Sequence, residues 1–173
     1  MRKKNGFTLV ELLAVIVVLA LIMVLAIPSV LDVMGQARKK SFVLYLQQTV
    51  IDVQTQFTYD SNDGPIKGRG WYVYNIETDL NKTSTGGYHG YITVDATDIE
   101  NPRFIVDMWD KNYMINHYDV TSNRMPTVDS VYISKYDKDK VPATILDACR
   151  VAAGNKETVS CHSRTGDLLT DKN

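Results

Sequence analysis

An apolar run near the N-terminus constrains the fold of this chain more than any other feature of its sequence. The run extends from Phe7 to Leu31, is dominated by valine, isoleucine and leucine, and has no charged residue between positions 12 and 27. A helix needs about 20 consecutive apolar residues to cross the hydrocarbon layer of a bilayer. A strand of this length would be rare in a soluble protein, so the run predicts a membrane-spanning helix.

Two simple interpretations of the run are a secretory signal peptide and a plain membrane anchor. A secretory signal peptide has a shorter apolar core with a small-residue cleavage site after it, whereas this run continues into polar, helix-forming sequence. A plain membrane anchor leaves Glu11 unexplained, because a carboxylate within a membrane segment costs about 2.5–3.5 kcal/mol on insertion scales. It also leaves Pro28 unexplained, because proline removes one backbone hydrogen bond of a helix. Both residues indicate a segment that does more than anchor the chain.

Charge is distributed unevenly along the chain. The formal net charge is -1, so the composition gives no indication of a nucleic-acid partner. Arg2, Lys3 and Lys4 precede the apolar run and favour a cytoplasmic N-terminus, whereas the basic residues 38–40 on its other side oppose this orientation. Because the N-terminal charges lie directly beside the run, we expect the N-terminus inside the cell and the C-terminal domain outside.

The residues that surround Glu11 resemble a known processing signal. They are similar to the class III signal sequence of type IV pilins and pseudopilins, in the stretch Lys4-Asn5-Gly6-Phe7-Thr8-Leu9-Val10-Glu11-Leu12. The resemblance implies that a prepilin peptidase in the membrane cleaves after Gly6 and N-methylates Phe7. It also implies that Glu11 is the carboxylate used in filament assembly, and it includes Pro28, at a position where the family often has proline.

The resemblance further implies a function, partners and a location. We expect a structural subunit of a type IV pilus, a helical filament of copies of this chain, with roles in cell adhesion and twitching motility. The precursor is expected in the cytoplasmic membrane, where the prepilin peptidase and the pilus assembly machinery act on it, and the mature subunit in an extracellular filament. One alternative is a pseudopilin or minor pilin of a type II secretion or competence (DNA uptake) system. A second alternative is a membrane-tethered extracytoplasmic binding protein.

The sequence after Pro28 is amphipathic. Its apolar residues recur at spacings of three and four, which form one face of a helix, at Val43, Leu46, Val50, Val53 and Phe57. We therefore expect one helix from about Thr8 to about Phe57, with bends at Pro28 and Gly35. The turn-forming residues 60–65 end this helix.

Short segments rich in aromatic and β-branched residues follow the helix and predict strands. These segments are Trp71–Tyr74, Tyr88–Val94, Arg103–Trp109, Tyr113–Tyr118 and Val131–Ser134. A further helix is predicted from Pro142, at an early helical position, to a stop at Gly154, with an extended piece at 157–161 and a polar tail after Thr165. The predicted fold class is α+β, with a small antiparallel sheet packed on the amphipathic half of the long helix, as in type IV pilins.

Two cysteines, Cys149 and Cys161, lie near the C-terminus. A pair within a short window is either a disulfide or two buried thiols, and the compartment decides between them. The extracytoplasmic head that the resemblance implies favours the disulfide, and the pair resembles the loop-closing disulfide of many pilins.

These features divide the chain into four segments. We expect a basic leader peptide at residues 1–6, which is removed, and a hydrophobic transmembrane and polymerisation helix at residues 7–31. The amphipathic continuation of the helix occupies residues 32–59. A globular α+β head with a C-terminal disulfide loop occupies residues 60–173.

No catalytic or metal-binding pattern stands out in the sequence. Asp60 and Asn62 begin like a calcium-binding loop, but Pro65 stands where that loop needs a flexible glycine. The three histidines lack the spacing of zinc ligands: His89, His117 and His162. We therefore expect no enzymatic activity, no metal and no cofactor.

Overall fold

The computed structural model describes residue 6 and residues 8–80, 87–120, 125–129, 132–155 and 159–170. The chain falls into two compact units, divided between Lys40 and Ser41. One helix, α1 (Leu9–Asn62), contributes residues to both units. It stays α-helical through Pro28 and Gly35, and it continues beyond the expected end at Phe57.

The first unit exposes nearly all of its apolar side chains. The large apolar side chains between Leu9 and Met34 range from 48 % to 79 % exposed. This part of α1 is long and apolar enough, by length and composition, to cross a membrane. Covering each such side chain is worth about 1.5–3 kcal/mol, so this surface favours lipid or the helices of other chains over water.

The second unit begins with the amphipathic part of α1. Every member of the predicted stripe is buried, from Val43 to Phe57, and so are Phe42 and Asp60, which the prediction omitted. Four members of the stripe belong to the main core of the unit, together with inward-facing residues of the sheet such as Tyr74 and Val106: Leu46, Val50, Val53 and Phe57. Spacings of three and four place all of these side chains on one face of the helix.

A single six-stranded sheet covers that face of the helix. Its strands are β1 (Trp71–Asn75), β2 (His89–Asp95), β3 (Arg103–Trp109), β4 (Tyr113–Val120), β5 (Ser134–Lys135) and β6 (Cys161–Ser163). Their order across the sheet is β5-β4-β3-β2-β1-β6, and every neighbouring pair is antiparallel except β1 and β6. The prediction of an α+β fold, with a long N-terminal helix packed on a mainly antiparallel sheet, is confirmed.

A second, smaller core lies on the other face of the sheet. Alternate residues of a strand point to opposite faces, so Val73 points away from Tyr72 and Tyr74. Val73 packs with the disulfide-bonded cysteines and with Leu146 of the helix α2 (Ile145–Ala152). The sheet is therefore covered by α1 on one face and by α2 on the other.

Two predicted elements differ from the structure at their boundaries. Helix α2 begins at Ile145 and not near Pro142, because Thr144 is its N-cap and forms a reciprocal capping box with Asp147. The last predicted strand, 131–134, is reduced to the two residues of β5, and Val131 lies outside the described residues. A short 3₁₀ helix at Lys138–Lys140 separates β5 from α2.

The prediction of a polar tail after Thr165 is wrong for residues up to Leu169. Leu168 forms a β-bridge with His162, and the Leu169 N–H donates to the Cys161 carbonyl oxygen at 2.8 Å. The side chain of Leu169 packs against the smaller core. The segment therefore folds back along β6, because this contact removes an apolar side chain from water.

Leucines on opposite sides of α1 give a direct test of this packing. Leu46→Ala should lower the free energy of unfolding by about 2–5 kcal/mol, because the substitution leaves a cavity where Leu46 is 0 % exposed. Leu44→Ala is the matched control, because Leu44 is 63 % exposed and its loss should change that free energy by no more than about 0.5 kcal/mol. Denaturant unfolding of the full chain in detergent micelles, followed by tryptophan fluorescence, measures both. Equal losses would contradict the assignment of the buried face.

Candidate functional site

The residues expected to direct processing, Gly6 and Phe7, precede α1 in the sequence. Gly6 is exposed, and a Cβ atom added to it would meet no other atom within 4 Å. Packing within the described part of the chain therefore gives no reason for glycine at this position. Phe7, the expected site of methylation, lies outside the described residues.

Glu11 is held by Thr8, the residue directly before α1. Its Oε2 atom accepts hydrogen bonds from the Thr8 backbone N–H at 2.8 Å and from the Thr8 hydroxyl at 2.9 Å. In return, the Glu11 N–H donates to the Thr8 hydroxyl oxygen at 3.3 Å. This reciprocal arrangement is a capping box, which satisfies donors that a helix N-terminus otherwise leaves unpaired.

Sequence reasoning recognised Glu11 but missed its partner. The signal was present, since Thr-x-x-Glu directly before an apolar run is the capping-box pattern. The carboxylate sits alone in its own segment, because the next ionisable residue along the chain is Asp32. Glu11 is therefore the only charged residue of α1 before Asp32, and the hydrogen bonds with Thr8 fix the position of its carboxylate.

Comparison with known proteins identifies this segment. Residues 1–27 match the family model described as the prokaryotic N-terminal methylation motif. These residues are the class III signal sequence of type IV pilin-like proteins. No curated protein and no solved structure matches the chain significantly. The motif supports a type IV pilin-like or pseudopilin protein, whose precursor is associated with the membrane and processed by a peptidase, and it points to a structural protein.

Cys149 and Cys161 form a disulfide in the second unit. Their Cα atoms are 6.1 Å apart, and both residues are at most 1 % exposed. Cys149 belongs to α2, and Cys161 begins β6, the strand that pairs in parallel with β1. The bond therefore closes a loop between the small helix and the edge of the sheet. Residues 156–158 of this loop lie outside the described residues.

A buried ion pair ties the end of α1 to the C-terminal segment. Asp60 is 1 % exposed, and its Oδ2 atom accepts from Arg164 Nε at 3.1 Å and from the Tyr74 hydroxyl at 3.0 Å. Its Oδ1 atom accepts from Gln56 at 2.8 Å, while Arg164 Nη1 also donates to the Asp79 carbonyl oxygen at 2.7 Å. Burial and the nearby Asp60 carboxylate raise the pKa of Tyr74 well above its usual range, so its phenol remains a hydrogen-bond donor.

Sequence reasoning assigned Asp60 to the turn that ends the helix and weighed it as a calcium ligand, but did not include it in the buried stripe. It could have been found as the next member of the buried stripe, because Phe57 follows Val53 by four residues and Asp60 follows Phe57 by three. Its role in the ion pair also leaves it poorly suited to the calcium loop considered above. Among the described residues, no group of three or more histidine, cysteine or acidic side chains is arranged to hold a metal.

The disulfide should contribute measurably to the stability of the head. We expect the double variant Cys149→Ser/Cys161→Ser to lose about 3 kcal/mol of unfolding free energy, since closing a loop of this size restricts the unfolded chain by about that amount. Denaturant unfolding of the variant and of wild-type protein, with and without dithiothreitol, measures the loss. The reductant should destabilise the wild type alone. A wild-type protein that is insensitive to the reductant, or that presents two reactive thiols when denatured unreduced, would contradict this role.

Proposed function

We propose that this chain is a structural subunit of a type IV pilus. In this proposal the precursor inserts into the cytoplasmic membrane, is cleaved after Gly6, is methylated on Phe7 and then polymerises through its N-terminal helix. The observation that carries the proposal is the methylation motif at residues 1–27, joined to a helix whose apolar side chains are exposed. Lipid covers such a helix before assembly, and the helices of neighbouring subunits can cover it afterwards.

Cleavage after Gly6 would place a new charge close to Glu11. The reaction frees the amine of Phe7, which is positively charged after methylation at neutral pH. If the helix of the processed chain extended back to Phe7, positions 7 and 11 would share a face, because they are four residues apart. In a filament core that excludes water, the Glu11 carboxylate of one subunit would pair with the Phe7 ammonium of its neighbour.

The capping box is compatible with this pairing. Thr8 directs both of its hydrogen bonds to Oε2 of Glu11, and a carboxylate oxygen pair offers about four acceptor sites. Glu11 would therefore keep its helix-capping bonds while its remaining acceptor sites face another chain. Because an unpaired charge in an apolar core costs several kcal/mol, subunits in the wrong register would be rejected.

The other segments have matching roles in this proposal. Residues 1–6 are the leader that stays on the cytoplasmic side, and residues 7–31, including Pro28, are the transmembrane and polymerisation helix. Residues 32–59 continue the helix into the head, which comprises residues 60–173. The head would lie outside the cell, where the disulfide between Cys149 and Cys161 is chemically stable. Adhesion and twitching motility are the roles that such a filament would serve.

A pseudopilin or minor pilin of a secretion or DNA-uptake system is the second candidate. It is favoured by the same observation, because the methylation motif belongs to these proteins as well as to pilus subunits. The two candidates share processing and differ in abundance, since a pilus subunit forms most of the mass of a surface filament. The processing and assembly steps can be tested with single substitutions in the N-terminal segment.

Processing should depend on Gly6. We expect Gly6→Val to leave the full-length precursor in the membrane, because a branched side chain would block the peptidase from the bond before Phe7. Gly35→Val is the matched control, because a Cβ added at Gly35 also meets nothing within 4 Å and the position lies far from the cleavage site. N-terminal mass spectrometry of membrane fractions gives the result. Trimming of the Gly6→Val chain at Phe7 would overturn the assigned cleavage site.

Assembly should depend on the charge of Glu11 more than on its capping bonds. Glu11→Gln keeps a side-chain acceptor for Thr8 but removes the charge, whereas Thr8→Val removes the cap but keeps the charge. We expect Glu11→Gln to abolish most filament formation in cells that lack wild-type protein, and Thr8→Val to reduce it only modestly. The measurement is filament yield per processed subunit. Normal yield with Glu11→Gln would exclude the proposed ion pair without affecting the processing assignment.

A further inference from the structure

A groove in the head lies outside all of these roles. It has a volume of about 330 Å³ and is lined by Asp107 of β3, Asn116 and His117 of β4, Lys140, Pro142 and Asp147. We call it the Asp107 groove. It lies on the α2 side of the sheet, since Asp107 pairs across the strands with Tyr91 and Tyr91 packs against the smaller core.

The backbone at the floor of the groove is irregular. The register between β3 and β4 shifts between Val106 and Met108, so Asn116 and His117 together stand opposite Asp107 as a β-bulge. His117 has a φ of 52°, in the left-handed region that non-glycine residues seldom adopt. Its N–H donates to Asp107 Oδ1 at 2.8 Å. The bulge thus provides a hydrogen-bond donor for one carboxylate oxygen of Asp107, Oδ1, and none for the other, Oδ2.

Two oxygen atoms at this bulge are buried without a hydrogen-bond donor among the described residues. They are Asp107 Oδ2 and Asn116 Oδ1, and Asp107 as a whole is only 1 % exposed. The amide nitrogen of Asn116 is already used, since it donates to the Lys140 carbonyl oxygen at 2.9 Å. Burial raises the pKa of Asp107, an effect that the His117 contact partly opposes. Buried acceptors of this kind cost free energy unless a donor reaches them.

The rim of the groove adds negative charge to these acceptors. Asp139 and Asp147 both line it, in addition to Asp107. Lys140 is the cation of the rim, and its ammonium lies 3.1 Å from a carboxylate oxygen of Asp137. A ligand that complements this groove therefore needs N–H donors and a positive charge.

We propose that the Asp107 groove binds a guanidinium or a primary alkylammonium group. Such a group supplies several N–H donors and one positive charge in a single unit, which matches the two unpaired oxygens and the acidic rim. A hard metal ion such as Ca²⁺ fits less well, because it requires six to eight oxygen ligands and the described residues hold no metal-binding cluster here.

Two sources could supply this chemistry. One is a free small cation, and the other is a basic side chain of a second copy of this chain, whose Arg38, Lys39 and Lys40 are consecutive and exposed. The assignment to a second copy rests on the proposed filament function, but the binding chemistry of the groove does not. The binding test is therefore made first on separate subunits.

The probe for this test is L-argininamide, added to the full chain in detergent micelles at constant ionic strength and followed by calorimetry. We expect saturable binding to the wild type, and binding at least about tenfold weaker in Asp107→Asn, as for the loss of a hydrogen-bonded charge pair. Glu100→Gln is the matched control, because it removes an exposed carboxylate elsewhere and should leave the affinity unchanged. Tetramethylammonium, which has charge but no N–H donor, should bind much more weakly than argininamide.

A second readout separates binding from a structural role. Asn keeps an oxygen for the His117 N–H and replaces a buried carboxylate with a neutral amide, so Asp107→Asn should melt at the same or a higher temperature. Unaltered argininamide affinity in Asp107→Asn, or equal binding of the two cations by the wild type, would overturn the proposal. Loss of binding that accompanies a lower melting temperature would also count against it.

Assembled filaments distinguish the two sources. If a neighbouring copy fills the groove, wild-type filaments should bind almost no argininamide, and filaments of the triple variant Arg38→Gln/Lys39→Gln/Lys40→Gln should regain binding. If a free cation is the natural ligand, both kinds of filament should bind the probe as separate subunits do. Failure to form filaments would bear on the proposed function and would leave the result from separate subunits unchanged.

Discussion

The apolar side chains between Leu9 and Met34 must find a non-aqueous environment outside their own unit, and the other features of the chain follow from this constraint. These side chains are at least 48 % exposed, whereas the residues of α1 from Phe42 onward bury a continuous stripe beneath a sheet. One helix therefore serves two different surroundings. The part of α1 before Phe42 requires lipid or partner helices. The charge of Glu11 is costly in such an environment unless the carboxylate has a defined partner.

The second unit is held together by interactions that join distant parts of the chain. The amphipathic part of α1 covers one face of the sheet, while α2 and the disulfide cover the other. Asp60 joins α1 to the sheet and to the C-terminal segment, because its carboxylate is bonded to β1 through Tyr74 and to that segment through Arg164. Removing Arg164 would leave the buried Asp60 carboxylate without an opposite charge, which is strongly destabilising.

Local patterns in the sequence predicted the elements but not the irregular contacts between them. Arg103–Trp109 was predicted with the bounds it has in the structure, and the helix stripe was found by its spacing. The pairing of Asp60 with Arg164 joins residues 104 positions apart, so no local pattern encodes it. The bulge at His117 likewise depends on how β4 meets Asp107. By contrast, the Thr8–Glu11 capping box and the N-cap at Thr144 were readable from the sequence, since both follow the same short pattern.

The pilus subunit that we propose is processed at its N-terminus and becomes the body of a surface filament. The most direct test is intact-mass and fragment-ion mass spectrometry of filaments sheared from the surface of the cells that make this protein. We expect the principal component to be this chain, beginning at Phe7 with one methyl group on its amine. Filaments that lack the chain, together with a membrane-bound form that retains residues 1–6, would contradict it.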